Sequence, residues 1–158
     1  FISRILVDIQ LIPQLIPALT FILAALVAFS TGSSWGTMAI LYPLILPSSW
    51  IICGEFSMEY ESSMRIFFNV VSSVLAGSVL GDHCSPISDT TILSSLASSC
   101  NHIEHVRTQL PYALTAGLVA ILLGSIPSAF GISSVILFPL GLLVLYSIVS
   151  LVGKKTDE

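Results

Sequence analysis

Apolar residues fall into four long blocks along the chain, and polar linkers separate them. The blocks cover about residues 11–47, 64–97, 110–126 and 132–149. A straight transmembrane helix needs about 20 apolar residues, because each residue adds about 1.5 Å to its length. The last two blocks therefore predict one crossing each, with a kink at Pro139 in the second of them. The first two blocks are too long for a single crossing.

Short polar segments interrupt both of the long blocks near their middle. Non-helical backbone at membrane depth is tolerated only where it is buried in protein or lines a cavity. Paired interrupted segments are typical of transporter binding sites. The pattern therefore predicts an all-α membrane protein, with a re-entrant or broken segment near 30–36 and a broken helix at 81–91.

The amino-acid composition is typical of a membrane protein and indicates which partners to expect. Hydrophobic residues make up 54% of the chain and charged residues 9%, against about 25% charged residues in soluble domains. With a mean hydropathy of +0.97, a soluble domain would lack the polar side chains to cover its core, so we expect membrane lipid around the helices. The sequence has no basic patch, which argues against nucleic acid as a partner. Its three cysteines lack disulfide spacing and predict reduced thiols.

The first interruption, residues 30–36, contains four hydroxyl side chains and two glycines. Glycine allows a sharp turn and a close approach of backbone groups to an ion. The segment is either the tip of a re-entrant hairpin, with arms 11–29 and 37–46, or an unwound part of one helix. Close helix packing through small residues is the structural alternative. For an ion path, the candidate ligands here are Ser30, Thr31, Ser33 and Ser34.

The second interruption, residues 81–91, reads Gly-Asp-His-Cys-Ser-Pro-Ile-Ser-Asp-Thr-Thr. Ionisable groups at membrane depth are costly and indicate a functional site. Pro86 lacks an amide proton and opens the helix, which frees main-chain carbonyls before it. Hard cations prefer oxygen ligands, so we predict Na⁺ at Asp82 and Asp89. An N-cap role for Ser88 or Asp89 is the structural alternative. The full set of candidate oxygen ligands is Asp82, Ser85, Ser88, Asp89 and Thr90.

Two buried carboxylates would also suit proton coupling. Desolvation raises the pKa of a carboxyl group, and a second carboxylate nearby raises it further. A carboxyl group with a pKa near neutrality holds either a proton or a sodium ion, and this competition exchanges the two across a membrane. His83 changes charge in the physiological range and is a candidate member of the relay. The alternative for His83 is a neutral imidazole that hydrogen-bonds to the backbone.

Three competing interpretations use the same region differently. A metal site would combine Cys100, His102 and His105 with Cys84, but the sequence lacks the paired cysteines of common zinc motifs. An intramembrane hydrolase would use Ser85 with His83 and one of the aspartates, yet Ser85 stands outside a Gly-x-Ser-x-Gly elbow. A purely structural membrane subunit would need neither aspartate.

The run from Gly81 to Ser95 resembles the signature of NhaC-type Na⁺/H⁺ antiporters, and so do residues 102–112 and the polar segment 29–37. The resemblance implies a member of the larger ion-transporter superfamily, built from inverted repeats with hairpins and broken helices. It implies exchange of sodium for protons, a role in pH homeostasis, no enzymatic activity and no cofactor. Relatives in this family also exchange malate, lactate or amino acids with coupled ions.

The resemblance covers the C-terminal part of such an antiporter, so we expect half of an inverted-repeat transporter. The first residue, Phe1, is also typical of a fragment. The expected partner is the N-terminal half, which would supply the rest of the transport site. A homodimer is a further assembly compatible with the sequence.

Basic residues near the helix ends predict the orientation. Arg107, Lys154 and Lys155 lie on one side if the last two blocks cross once each, whereas the linker 48–63 carries three glutamates. Basic residues favour the cytoplasmic side. We therefore predict a multi-pass plasma-membrane protein with residues 98–109 and the tail 150–158 in the cytoplasm and 48–63 outside.

Overall fold

The computed structural model describes residues 12–153, which form helices and turns without a β-strand. The α-helices are α1 (Ile16–Thr31), α2 (Ser34–Glu55), α3 (Tyr60–Cys84), α4 (Asp89–Ala97), α5 (His102–Val119), α6 (Ile126–Ala129) and α7 (Ser134–Val152). A 3₁₀ turn, Pro13–Leu15, precedes α1, and a π-helical turn, Ala120–Ser125, joins α5 to α6. Five helical segments of this described part are long and apolar enough to cross a membrane. The prediction of an all-α membrane protein is thereby confirmed.

Helices α1, α2 and α3 pack into a three-helix bundle. One cluster of buried side chains joins the start of α1, the end of α2 and the start of α3: Ile16, Ile52, Cys53, Ile66 and Val70. A second cluster lies further along α1 and consists of Ala24, Met38, Leu41 and Val74. The order of these contacts shows that α2 runs antiparallel to α1 and α3, and that α1 and α3 run parallel to each other.

The closest contact in the bundle joins α1 to α3. A Cβ atom added to Gly77 would collide with the carbonyl oxygen of Phe21, and one added to Gly81 with the carbonyl oxygen of Ala25. The Cβ atom added to Gly81 would also lie 2.9 Å from Cβ of Ala28. Small residues four apart let membrane helices approach each other closely. This contact sets the rotation of α3 and places its last turn beside the last turn of α1.

The linker expected at 48–63 is mostly helical. Helix α2 extends to Glu55 and α3 begins at Tyr60, so only residues 56–59 connect them. The reason lies in the middle of the linker, where Ile52 and Cys53 are buried against α3. Burial of these apolar side chains extends α2 beyond the proposed end of the first block.

The linker expected at 98–109 is also shorter than predicted, since α5 begins at His102. Its N-cap is Asn101, whose side-chain oxygen accepts hydrogen bonds from the main-chain N–H groups of Ile103 (3.0 Å) and Glu104 (3.2 Å). Such a cap satisfies amide groups that have no partner inside the helix. The polar residues after it therefore form the first two turns of α5.

Helices α5 and α7 present most of their surface outward. Leu137 is the buried residue of α7, and Pro139 lies inside that helix. The outward apolar side chains suit a lipid environment, where an apolar helix surface needs no polar cover. Leu11, where the first block was predicted to begin, and residues 154–158 of the predicted tail lie outside the described residues.

Candidate cation site

The first interruption forms a tight turn between two antiparallel helices. Helix α1 ends at Thr31, Gly32 adopts a left-handed conformation (φ +67°), and the Ser33 side chain caps α2 by accepting from the Gly36 amide (3.1 Å). Glycine adopts this conformation without the steric cost that other residues incur. The segment is therefore the turn of a helical hairpin at residues 32–33, and the second helix extends to Glu55, beyond the predicted arm 37–46. Each helix of this hairpin is long and apolar enough to cross a membrane.

The second interruption is a helix break at the predicted place. Helix α3 ends at Cys84, α4 begins at Asp89, and Pro86 lies in the non-helical residues between them. The hydroxyl of Ser85, which is fully buried, donates to the carbonyl oxygen of Phe29 at 2.8 Å. This bond ties the break to the last turn of α1.

The two interruptions touch each other. The position of a Cβ on Gly32 lies 2.9 Å from both the carbonyl oxygen and the Cγ1 atom of Ile87. A side chain at Gly32 would therefore push the break away from the turn. Contact between the polar interruptions brings their hydroxyl groups to one carboxylate.

That carboxylate is Asp82, which is half-buried in the last turn of α3. Ser34 donates a hydrogen bond to Oδ2 (3.0 Å) from the first turn of α2, and Ser88 donates to Oδ1 (2.6 Å) from the break. Thr90 Oγ1 lies 2.8 Å from Ser88 Oγ. Because the single proton of Ser88 goes to Asp82, the Thr90 hydroxyl donates to Ser88. A chain of hydroxyls thus leads from the surface to the carboxylate.

The site lies at one end of the three-helix bundle. A helix rises about 1.5 Å per residue, so Asp82 stands about 33 Å along α3 from Tyr60. The sequence had suggested an interruption near the middle of the second block. Only nine helical residues follow the break in α4, and α3 alone is long enough to span a membrane.

The other predicted ligands of the first interruption bond within their own hairpin. Ser30 donates to the carbonyl one turn earlier, Leu26 (2.8 Å), and Thr31 does the same to Val27 (3.0 Å). Thr31 Oγ1 also lies 3.3 Å from Thr37 Oγ1. Only Ser34 of the four hydroxyl residues reaches the carboxylate.

In the second interruption, Asp89 and His83 point to the surface. Both side chains are exposed, and Asp89 lies in the first turn of α4, where a carboxylate interacts favourably with the helix dipole. The contacts of His83 with Thr91 Oγ1 (3.4 Å) and Gln109 Nε2 use its main-chain carbonyl. The structure therefore assembles Asp82, Ser34, Ser88 and Thr90, with Asp89 and His83 at its outer edge.

Two histidines that were not among the predicted ligands contact this region, His102 at the break and at α4, and His105 at α4 only. Nε2 of His102 lies 2.6 Å from the carbonyl oxygen of Pro86 and must carry a proton there, because a carbonyl only accepts. Nδ1 of His102 and Nδ1 of His105 lie 3.1 Å and 2.8 Å from Oγ of the buried Ser95. The spacing of the histidines, three residues apart after an N-cap, was the signal in the sequence.

The competing sites are not assembled in residues 12–153. No group of three His, Cys, Asp or Glu side chains there lies close enough to hold a metal ion; Cys84 is buried in α3, whereas Cys100 is exposed. Gly32 to Gly36 does match the Gly-x-Ser-x-Gly pattern of hydrolases. That elbow joins a strand to a helix, whereas this turn joins two helices and its Ser34 donates to a carboxylate.

Comparison with known families decides the class of the protein. The model of the Na⁺/H⁺ antiporter family matches residues 1–126, which include both interruptions and Asp82. The chain belongs to the Na⁺/H⁺ antiporter family. Membership of this family indicates a multi-pass membrane protein, and it agrees with the resemblance found in the sequence.

Similar proteins come from bacteria and an archaeon. An uncharacterized protein of Haemophilus influenzae is 48% identical over 65% of this chain and 18% of its own length. The malate-2H⁺/Na⁺-lactate antiporter of Bacillus subtilis is 28% identical over 70% of the chain, and the arginine/ornithine antiporter ArcD of Halobacterium salinarum is 30% identical over 72%. The matches span about a fifth of these relatives. No solved structure matches the chain significantly.

Proposed function

We propose that the chain forms part of a secondary transporter that exchanges sodium for protons, with both ions competing for Asp82. One observation carries this proposal: hydroxyls from both interruptions donate to the same half-buried carboxylate. Membership of the Na⁺/H⁺ antiporter family supports it.

The hydroxyl groups allow the same site to accept either ion. A serine hydroxyl carries one donor and two acceptor lone pairs, so Ser34 and Ser88 can donate to an empty carboxylate or turn lone pairs towards a bound cation. Sodium then receives only oxygen ligands, as hard cations prefer. A proton on Asp82 removes the negative charge that binds sodium, so the two occupants exclude each other.

We propose that Asp89 acts at the mouth of the site. Its carboxylate is exposed at the start of α4, and the neighbouring Thr90 begins the hydroxyl chain that ends at Asp82. An exposed carboxylate beside this chain attracts cations from solution without the desolvation cost of a buried one. His83, exposed on the adjacent turn of α3, is a candidate proton carrier at the same mouth.

The test is sodium-driven proton efflux from everted membrane vesicles. The vesicles contain the natural protein that includes residues 1–158, expressed at its full length. A pH-sensitive dye reports the response when NaCl is added. We expect Asp82→Asn to abolish the response and Asp89→Asn to weaken it. Glu104→Gln, an exposed acid 3.9 Å from Arg107, is the matched control and should exchange normally. Normal exchange by Asp82→Asn would overturn the proposal.

A second candidate is an antiporter of organic acids or amino acids. The observation that favours it is the pair of relatives named for malate, lactate, arginine and ornithine exchange. Vesicles loaded with malate, lactate or arginine distinguish the two functions. Proton movement that requires an organic solute and does not occur with NaCl alone would favour the solute carrier.

We further propose that the protein lies in the plasma membrane and that another transmembrane region, such as an N-terminal half, completes the site. The last three spans place residues 98–101 and the C-terminus on one side and residues 56–59 on the other, if each span crosses once. We assign the first side to the cytoplasm. Cys100 is exposed, so an impermeant maleimide should label it in everted vesicles and leave it unlabelled in intact cells.

A further inference from the structure

The other buried serines in the described helices each have a hydrogen-bond partner. Ser63 donates to the Glu59 carbonyl (3.1 Å), and Ser95 to the Thr91 carbonyl (2.8 Å), each one turn earlier. Ser78 is different. Ser78 is 0% exposed, and its Oγ has no hydrogen-bond partner in residues 12–153. Because buried polar groups are nearly always paired, such an oxygen calls for an explanation.

Ser78 lies one helical turn before Asp82. Side chains four residues apart are neighbours on one face of a helix. That face of α3 is directed at α2, since Ser34 bonds to Asp82 and Leu41 packs with Val74. Ser78 falls between Val74 and Asp82 on this face and therefore points between the helices, on the inner side of the carboxylate.

A second buried hydroxyl belongs to the same layer. Thr37 of α2 is 0% exposed and lies between Ser34 and Leu41 along that helix. Its Oγ1 is 3.3 Å from Thr31 Oγ1 at the end of α1. Thr37 lies one turn further along α2 than Ser34, and Ser78 one turn before Asp82 on the antiparallel α3, so these two buried hydroxyls lie one turn deeper than the bond between Ser34 and Asp82.

We propose that Ser78 Oγ is an inner ligand for a monovalent cation of sodium size carried at Asp82. This inference rests on the proposed function of Asp82. Both lone pairs of the Ser78 oxygen are free for a cation, since this atom has no hydrogen-bond partner in residues 12–153. The ion then moves inward from the hydroxyl chain at the surface to a position between Asp82 and Ser78.

A purely structural Ser78 and a ligand role predict different effects of an alanine substitution on ion binding. In both cases, removing an unpaired buried hydroxyl leaves stability unchanged or increases it, because the desolvation penalty of that hydroxyl disappears. A structural role leaves sodium binding unchanged, whereas a ligand role weakens it. The sodium dependence therefore separates the two roles, and the stability measurement shows that the variant is still folded.

The experiment compares Ser78→Ala with Ser72→Ala in everted vesicles. Ser72 lies on the same helix, but it is exposed and donates to the Phe68 carbonyl (3.0 Å), so its substitution controls for loss of a helical serine. We expect Ser78→Ala to raise the KM for sodium about tenfold, the factor produced by about 1.4 kcal/mol, with unfolding in detergent unchanged or at higher temperature. A wild-type KM in Ser78→Ala would overturn the inference.

Parallel measurements keep this inference distinct from the proposed function. If Asp82→Asn is inactive and Ser78→Ala has a wild-type KM, Asp82 keeps its role and the inner ligand is disproved. If Asp82→Asn exchanges sodium normally, the function proposed for Asp82 is disproved, and the inner ligand is disproved with it. Should Ser78→Ala not accumulate in the membrane, Ser78→Cys replaces it, because it keeps the size of the side chain but offers a soft sulfur that sodium avoids. Wild-type sodium KM in that variant would likewise overturn the inference.

Discussion

The two interruptions look alike in the sequence, but different contacts hold them. The turn at residues 30–36 is held mainly by local bonds, from the left-handed Gly32 and the Ser33 cap. The break at residues 85–88 is held by other parts of the chain. Ser85 bonds to α1, Ser88 to Asp82, and His102 of α5 to the Pro86 carbonyl.

This difference separates chain reversal from ion binding. A turn built on local bonds forms wherever its glycine and cap are present, so changes in it act on stability. A break fixed by distant partners depends on how the helices are packed, so changes in it act on the geometry of Asp82. Ser34 is the exception, because it belongs to the turn and bonds to the carboxylate.

The largest effect is expected where the two interruptions touch. Gly32→Ala forces a left-handed alanine, at about 1–2 kcal/mol, and places a Cβ 2.9 Å from Ile87, where overpacking costs about 1–3 kcal/mol. We expect the free energy of unfolding in mixed SDS micelles to fall by about 3 kcal/mol. We also expect the variant to lose sodium–proton exchange. Gly54→Ala is the control, because nothing lies within 4 Å of its added Cβ. Equal stability of the two variants would contradict the contact.

The bonds to Asp82 should differ in strength. Ser88→Ala removes the 2.6 Å donor from the break, whereas Ser34→Ala removes the 3.0 Å donor from the turn. Hydrogen bonds to charged groups contribute about 1.5–3 kcal/mol, so we expect Ser88→Ala to lower the free energy of unfolding by about 2 kcal/mol and Ser34→Ala by less. Denaturant titrations of the two variants measure the difference. A larger loss of stability in Ser34→Ala than in Ser88→Ala would show that the bond from the turn is the stronger of the two.

His102 tests whether the break depends on α5. His102→Ala removes the bonds to Pro86 and Ser95, and we expect a loss of about 1–2 kcal/mol on unfolding. His102→Gln keeps an N–H donor for the Pro86 carbonyl and should recover part of it. The comparison variant is His83→Ala, because the exposed His83 makes its contacts through the main-chain carbonyl. Identical stability of His83→Ala and His102→Ala would show that the break holds without α5.

The smallest effect is expected at the helix cap of the turn. Ser33→Ala removes the acceptor for the Gly36 amide and should lower stability by about 1 kcal/mol, whereas glycine at this position should cost only about a few tenths of a kcal/mol. We expect the sodium dependence of exchange to remain unchanged, since Ser33 bonds within its own hairpin. A shifted KM for sodium would show that the cap also shapes the site.

The helices and their interruptions could be predicted from the sequence because local chemistry dictates them. Pro86 cannot continue a helix, Gly32 permits a reversal, and apolar runs of known length predict membrane spans. These features placed both interruptions correctly. They overestimated the linkers, since the burial of Ile52 and the Asn101 cap extend helices into polar sequence.

Only the tertiary structure decided which residues form the site. A helix has 3.6 residues per turn, so rotating α3 by one residue would turn a different side chain towards α2. That rotation is fixed by the packing of Gly77 and Gly81 on Phe21 and Ala25 of α1, each 56 residues earlier in the chain. The sequence by itself determined a polar break with two aspartates. The packing of α1 against α3 directed Asp82 towards Ser34 and Ser88, and it left Asp89 at the surface.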